Sequence, residues 1–439
     1  MFNFRAQAGW FHSTLCRPGD WRYGPEPCRG RPAFPKGRSL AEARRTPSLK
    51  KTDEPDLMPH RHSSAPMPAS REPSSLLSVD RAVSELRRGQ VIALRAAGGE
   101  AALALAAEAA TEESLATLAR LGKGRARLAI TARRAEVLGL GAPAASVVIL
   151  SAETPLPAQT VCDIADPLTL TGLPDGAAIT ILDATAYGCE SAAVGLTKVA
   201  RLLPAAMVAH IEDPEADDLY AWAARHDLLV IDAGDVFQYE HTAARTLHRV
   251  SEARVPLAGA ENTRIIAFRP LDGGLEHLAI LVGEPDPAKP TLTRLHSECF
   301  TGDLLGSLRC DCGEQLRAAI QQIGEEGSGV LLYLAQEGRG IGLVNKLRAY
   351  ELQDRGFDTI DANEQLGYDA DERVYLPAAQ MLHQLGIERV RLLTNNPDKV
   401  AALSRCGVEV TERVPHSFPS NQHNEIYLRT KQTRGGHLF

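Results

Sequence analysis

The sequence predicts an α/β protein built from two units, each a sheet flanked by helices, with an N-terminal extension that joins neither core. Three observations carry that expectation. From about residue 80 onward, short aliphatic runs of strand length alternate with segments of helical period. Residues 1–75 hold 11 of the 27 prolines, many arginines and little periodic hydrophobicity, so they are expected to remain mostly disordered. Residues 246–262 separate two stretches of different motif content and read as a linker or a first strand.

Taken in order, the extension comes first. Its arginines suggest an organelle transit peptide, an idea weakened by the prolines and by Asp20, Glu26 and Glu42. Met58 and Met67 lie just before the first organised segment, so a start placed too far upstream is at least as good a reading as a functional tail. The first unit, at 80–245, opens with a strand at 91–94 and an alanine-rich helical region at 101–120. Strands at 128–131 and 146–150, helices at 191–203 and 217–226 and a strand at 228–231 follow. The second unit spans 263–431 and reads as a mixed sheet flanked by helices. It has a strand at 329–335 that runs through a glycine-rich turn into a helix ending near Gly356, and a second strand ends at Thr394.

Composition limits the function. The 439 residues are 44% hydrophobic and carry 48 basic against 55 acidic side chains, a formal charge of -7. That balance offers no general attraction to nucleic acid or to acidic membranes, so an anionic ligand must meet a local cluster of cations. The eight cysteines show no regular disulfide spacing, and no apolar stretch is long enough to span a bilayer, which points to a reducing cytoplasm.

Three of those cysteines stand close together. Cys310 and Cys312 are two apart, so on extended backbone both sulfurs face one side, and Cys299 can return to them across the 302–306 turn. Helical period begins at Gly313, with Leu316, Ile320 and Ile323 on one face, so the pair lies at a helix N-terminus. That dipole and Arg309 would favour thiolates. Three thiolates without a fourth cysteine suit a metal with one position open for water or substrate. Three buried free thiols, or a structural zinc completed by His296 or Asp311, remain alternatives.

The runs Arg-Leu-His-Ser-Glu-Cys at 294–299, Gly-Ser-Leu-Arg-Cys-Asp-Cys-Gly at 306–313 and Gln-Glu-Gly-Arg-Gly-Ile-Gly-Leu at 336–343 resemble GTP cyclohydrolase II, over about 263–431. The resemblance implies an enzyme of riboflavin biosynthesis that opens the guanine imidazole ring, releasing formate and pyrophosphate. It further implies one zinc per subunit on Cys299, Cys310 and Cys312, magnesium with the triphosphate, and a homodimer. Arg294, Leu295, His296, Ser297 and Glu298 match a segment that wraps GTP, and Gln315 matches a guanine-reading position whose amide offers a donor and an acceptor. Glu337, Gly338, Arg339, Thr359, Thr394 and Lys399 match further substrate positions. Tyr350 matches a tyrosine near the zinc, Asp371 a proton acceptor, and Arg373 a nucleophile in pyrophosphate release. A guanidinium is a poor nucleophile and a good stabiliser of phosphoryl charge, so stabilisation is the more conservative role for Arg373.

The first unit resembles 3,4-dihydroxy-2-butanone 4-phosphate synthase through its runs at 91–94, 104–108, 190–194 and 203–207. That enzyme needs an acidic, magnesium-binding loop after its first strand. Here the loop offers only Glu100, and Cys189 stands where a histidine is expected. The first unit is therefore expected to be a degenerate synthase domain that supports dimerisation.

Overall fold

The structure, a computed structural model of the chain, describes residues 74–169, 173, 178–212, 218–418, 424, 429, 430, 432–434 and 436. The expectations for residues 1–73, including Met58 and Met67, lie outside the described residues.

Two seven-stranded sheets carry the chain. The first contains β1 (Ile92–Arg95), β2 (Ala101–Ala106), β3 (Arg127–Thr131), β4 (Val147–Ala152), β5 (Ile179–Asp183), β6 (Ala205–His210) and β7 (Val230–Asp232), in the order β5-β4-β3-β6-β2-β1-β7. All its pairings are antiparallel except β1 with β7. Helices α1 (Ser74–Arg87), α2 (Glu112–Leu121), α3 (Ala132–Val137), α4 (Ala158–Ala165), α5 (Cys189–Val199), α6 (Leu219–Arg225) and α7 (Ala233–Arg245) accompany it.

The alanine-rich region corrects one expectation. Residues 101–106 form β2 rather than the start of a helix, and only the later part, α2, is helical. Leu103 and Leu105 enter the core on one face of the sheet, while Ala102, Ala104 and Ala106 enter the core on the other. Alternation with period two, buried on both faces, outweighs alanine's helix propensity, which is at most a few tenths of a kcal/mol per residue over most alternatives, on the order of 0.5.

The second sheet contains β8 (His248–Arg254), β9 (Thr263–Arg269), β10 (His277–Val282), β11 (Thr291–Ser297), β12 (Gly329–Leu334), β13 (Arg389–Leu393) and β14 (Glu409–Val414). Its order is β14-β13-β11-β12-β10-β9-β8, so the segment at 246–262 supplies a first strand and the unit begins at His248. The stretch β8-β9-β10-β12 pairs antiparallel, whereas β12, β11, β13 and β14 run parallel. Helices α8 (Cys312–Glu326), α9 (Leu343–Asp354), α10 (Thr359–Gln365), α11 (Leu376–Gln384) and α12 (Pro397–Arg405) complete it.

This topology places the site. The chain leaves β11 to one side, into β12, and later returns to the other side as β13. The carboxyl ends of these three parallel strands, at Ser297, Leu334 and Leu393, therefore open a crevice where the strand order reverses. Crevices of this kind are where open parallel sheets bind ligands.

Candidate active site

The cysteines gather at the end of β11. One turn of π-helix, Phe300–Leu304, follows Cys299 and turns the chain back so that Cys310 and Cys312 reach it. One sulfur from each lies within 4.8 Å of the others, and the Cys299 and Cys310 sulfurs are 3.7 Å apart. Gly302 fits beneath them. A Cβ there would lie 2.7 Å from the Cys310 sulfur and 3.0 Å from that of Cys299, so any side chain would intrude on the sulfur triangle. Cys312 is the first residue of α8, with the helix N-terminus directed at the group.

Thiols become metal ligands as thiolates, and the surroundings favour that form at one position. Hydrogen bonds from Cys310 and Cys312, with the Lys346 ammonium 3.0 Å from its sulfur, drive the Cys299 pKa far below the ordinary thiol range. The same contact with Cys299 pushes Cys310 up to about 11 and raises Cys312, so the thiolate is favoured at Cys299 and the neutral thiol at the other two. Entry of a divalent cation would draw off the remaining protons. The soft donors, their spacing and the glycine beneath them fit a thiophilic metal.

Neither His296 nor Asp311 joins the triangle. The His296 Nε2 faces Asp303 Oδ1 at 3.0 Å, and Asp303 also receives the Cys299 amide and the Tyr333 hydroxyl, each at 3.0 Å. Asp303 thus ties the cysteine turn to the sheet. Asp311 accepts a hydrogen bond from the Gln315 side-chain amide.

Lys346 is the cation at the sulfurs that the sequence did not single out, and Arg309 does not take the part expected of it. Arg309 is bound to Asp354 and lies over the Tyr350 ring, its guanidinium 5.0 Å from the centroid. Lys346 instead spans Cys299 and Glu337, whose carboxylate it meets at 2.8 Å. A lysine four residues before Tyr350 shares its helix face, which was the signal available. Glu337 also receives the amides of Phe300 at 2.7 Å and of Gly338 at 2.9 Å, so this carboxylate locks the turn after β12 onto the cysteine turn.

The rest of the crevice is polar and cationic. Arg294, His296, Ser297, Glu298, Gln315, Glu337, Gly338, Arg339, Tyr350, Thr359, Arg373, Thr394 and Lys399 line it with the three cysteines, joined by Gln353, Asn363, Asn395 and His416, which the sequence did not single out. Two expected residues stand outside that wall. Leu295 points into the core of the second sheet, and its carbonyl accepts a 3.1 Å hydrogen bond from Lys399. Asp371 is exposed beside the crevice and reaches it through Arg373, whose Nε is 2.8 Å away.

Gln315 is held in one orientation. Arg294 can only donate and binds its Oε1, while ionised Asp311 can only accept and binds its Nε2, leaving one N–H and one lone pair for a ligand edge. Burial lowers Arg294 to about 10, which leaves it charged at neutral pH, and the same burial lowers His416 to about 4. Gly338 and Arg339 both adopt left-handed backbone, with φ of 64° and 61°, which turns the strand sharply into α9. Burial raises the Tyr350 pKa, and its hydroxyl lies 3.2 Å from that of Thr301. Partial burial works to raise Asp371, but the Arg373 guanidinium outweighs it and holds the carboxyl below its ordinary range. Asn396 caps α12, accepting from the Asp398 amide, with Pro397 at the first helical position.

The first unit has its own cluster. Glu100, Glu190 and His210 also bring ligand atoms within 4.8 Å of one another. The Arg127 guanidinium enters that group, however, 2.8 Å from Glu190 and in contact with His210. Cys189 is buried beneath it, and burial pushes its thiol up to about 12, so it stays neutral.

Comparison with known proteins gives the context of this geometry. Residues 248–415 match the family model of GTP cyclohydrolase II. A GTP cyclohydrolase-2 of Azospirillum brasilense is 56% identical over 83% of this chain and 95% of its own length. A GTP cyclohydrolase-2 of Shewanella frigidimarina is 58% identical over 38% of this chain and 82% of its own length. The riboflavin biosynthesis protein RibBA of Aquifex aeolicus is 34% identical over 84% of this chain and its full length. A solved two-domain 3,4-dihydroxy-2-butanone 4-phosphate synthase from A. baumannii aligns at 19% identity over 77% of this chain and 99% of its own, with a TM-score of 0.33.

Proposed function

This chain belongs to the GTP cyclohydrolase II family, and we propose that the three-cysteine crevice is where it carries out that family's reaction. It is a hydrolase of riboflavin biosynthesis, converting GTP to 2,5-diamino-6-(5-phosphoribosylamino)pyrimidin-4(3H)-one, formate and pyrophosphate. The observation that carries the assignment to this site is the sulfur triangle with the Lys346 ammonium against Cys299, set in one crevice with Gln315, Arg294, Arg339, Arg373 and Lys399.

Zinc on Cys299, Cys310 and Cys312 would supply a Lewis acid and a water made acidic enough to attack C8 at neutral pH. The chain's own residues do the remainder. Gln315, fixed by Arg294 and Asp311, offers its free N–H and lone pair to the guanine edge. Arg294, Arg339, Arg373 and Lys399 meet the triphosphate, helped by Thr394, Thr359 and the amides at the start of α12. His296, Ser297 and Glu298 border the nucleotide, and magnesium would accompany the triphosphate and offset part of its charge. Glu337 and Gly338 hold the turn that aims Arg339. Tyr350 moves a proton near the opening ring, Asp371 accepts one, and Arg373 stabilises the charge on the departing pyrophosphate.

The chain comprises an N-terminal extension, a degenerate synthase-like unit that opens with α1 at Ser74 and a cyclohydrolase unit that opens with β8 at His248 rather than at 263, and it acts as a cytoplasmic homodimer. The relatives named RibBA motivate a second activity in the first unit, formation of 3,4-dihydroxy-2-butanone 4-phosphate. Arg127 among the acidic groups and the neutral thiol at Cys189 argue against it. No helix among the described residues is long and apolar enough to cross a membrane. The test is purified protein with GTP, zinc and magnesium, assayed for formate and pyrophosphate. GTP binding without either product would remove the enzymatic reading.

A further inference from the structure

The segment from Glu337 to Arg373, which supplies much of the second unit's crevice wall, is packed on its other side into the first unit. Gly338, Arg339, Lys346, Tyr350, Thr359 and Arg373 face the crevice. From the same stretch of chain, Leu352, Ala362, Leu366 and Tyr368 are buried in one hydrophobic cluster with Leu128, Ile130 and Leu203 of the first unit. The crevice wall is therefore built on a core that its own sheet does not provide.

Polar ties converge where α5 ends. Lys198 Nζ meets Glu372 Oε1 at 2.7 Å, and Arg201 Nη2 donates at 2.7 Å to the carbonyl of Ala335, the residue after β12. Gly342 lies against Arg201, where a Cβ would come within 3.0 Å of that side chain, and the Asn345 amide donates to the Arg201 carbonyl at 3.0 Å. Glu372 sits between Asp371 and Arg373. Its Oε1 also receives the Asp369 amide at 2.8 Å, and its own N–H donates at 3.1 Å to the carbonyl of Arg339. Glu372 thus ties the Arg339 turn to the Asp371–Arg373 pair through its backbone N–H, and Lys198 and the Asp369 amide hold its carboxylate, which fixes where that backbone sits. Burial opposes the Lys198 charge, but Glu372 and Asp369 more than restore it.

We propose that Lys198 of the first unit is a positioning residue for the cyclohydrolase reaction, acting through Glu372 to set Arg339 and Arg373 at the triphosphate. The first unit is on this account a working part of the neighbouring site. Lys198 touches no substrate, and its effect is geometric. Misplacing a reacting group by about 1 Å can cost about 100-fold in rate.

The inference rests on the cyclohydrolase reading, so wild-type formate release is measured first, and its absence would count against that reading alone. With an active wild type, Lys198→Met should lower kcat about 10-fold, with zinc content and thermal midpoint unchanged, while Lys198→Arg keeps most of the rate. Glu372→Gln should reproduce the loss from the other partner, and the exchanged pair K198E/E372K should recover most of what either single change removes. Arg95→Gln, which breaks the 2.7 Å ion pair with Asp232 elsewhere in the first unit, should leave kcat as it was. Wild-type kcat in Lys198→Met would overturn the proposal, as would equal impairment of Lys198→Met and Lys198→Arg. Should Lys198→Met fail to fold, Glu372→Gln and the exchanged pair decide: a wild-type rate in the first, or no recovery in the second, is equally fatal.

Discussion

Among the described residues, two clusters of ligand-type side chains stand out, one in each unit, and they meet the same geometric criterion. Cys299, Cys310 and Cys312 lie within 4.8 Å of one another, and so do Glu100, Glu190 and His210. They differ in what faces them. A lysine backs one sulfur of the first set and leaves the triangle open over Gly302, stabilising a thiolate without filling the space a metal would take. An arginine stands inside the second set and is bonded to it, so the positive charge that a cation would bring is already present. Proximity of donors is common to both; where the counter-charge sits separates a centre poised for a metal from an internal salt bridge.

The largest effect expected from that contrast is at the triangle. Cys310→Ser should abolish formate release, a loss of at least about 1,000-fold, and the purified variant should contain little zinc by elemental analysis. Glu100→Gln, made in parallel, should release formate at the wild-type rate. A variant lacking the Cys310 sulfur that still turns over GTP would mean that the thiols are structural, and the comparison between the clusters would lose its meaning.

Lys346 should come next. Burial opposes its charge, yet Cys299 and Glu337 hold its pKa above the ordinary range, and in return it favours the Cys299 thiolate. In Lys346→Met the Cys299 pKa rises, so less of the metal-binding form exists at a given pH. Zinc retention against a competing chelator should weaken about 10- to 100-fold at neutral pH, and the pH of half-retention should move upward. If retention is unchanged across the pH range, the ammonium serves the substrate and not the thiolate.

Much of this site was legible in the sequence, and the limits of that legibility are physical. The cysteine spacing, the glycine-rich turn and the capped helix at Asn396 are local patterns, decided within about a dozen residues; the turn and the cap form where expected, whereas Cys310 and Cys312 meet not on extended backbone but through Asp311 at φ -98° and ψ 8°, with Cys312 already in α8. Lys346, Glu337 and Glu372 were missed in their actual roles because each acts on a partner far along the chain, at Cys299, Phe300 and Lys198 respectively. Nothing local distinguishes a lysine that backs a thiolate from one that faces solvent. The misreading of β2 has the same origin, since its alanines form a strand only because two cores close over it.

A smaller effect concerns Asp371. The Arg373 guanidinium holds its carboxyl below the ordinary range, so the acid limb of the rate profile should lie at low pH in the wild type. Arg373→Gln removes that cation and the carboxyl's pKa must rise, so the activity that remains should be lost at higher pH on acidification, by about one unit. An acid limb that stays in place while the rate falls would assign proton acceptance to another group.

The smallest effect belongs to the first unit's cluster, and it tests the contrast from the opposite side. Glu100 is exposed, with 44% of its side-chain surface accessible, and its contact is with His210 at 3.1 Å. Exposed pairs contribute about 0–1 kcal/mol, so Glu100→Gln should shift the thermal midpoint by no more than a few degrees, about 2 °C. Because Arg127 already neutralises Glu190, titrating wild-type protein with magnesium should give no heat that Glu100→Gln removes. Heat that does disappear in the variant would mean that the guanidinium yields its place to the cation, and a counter-charge inside a cluster would then be a gate and not a replacement.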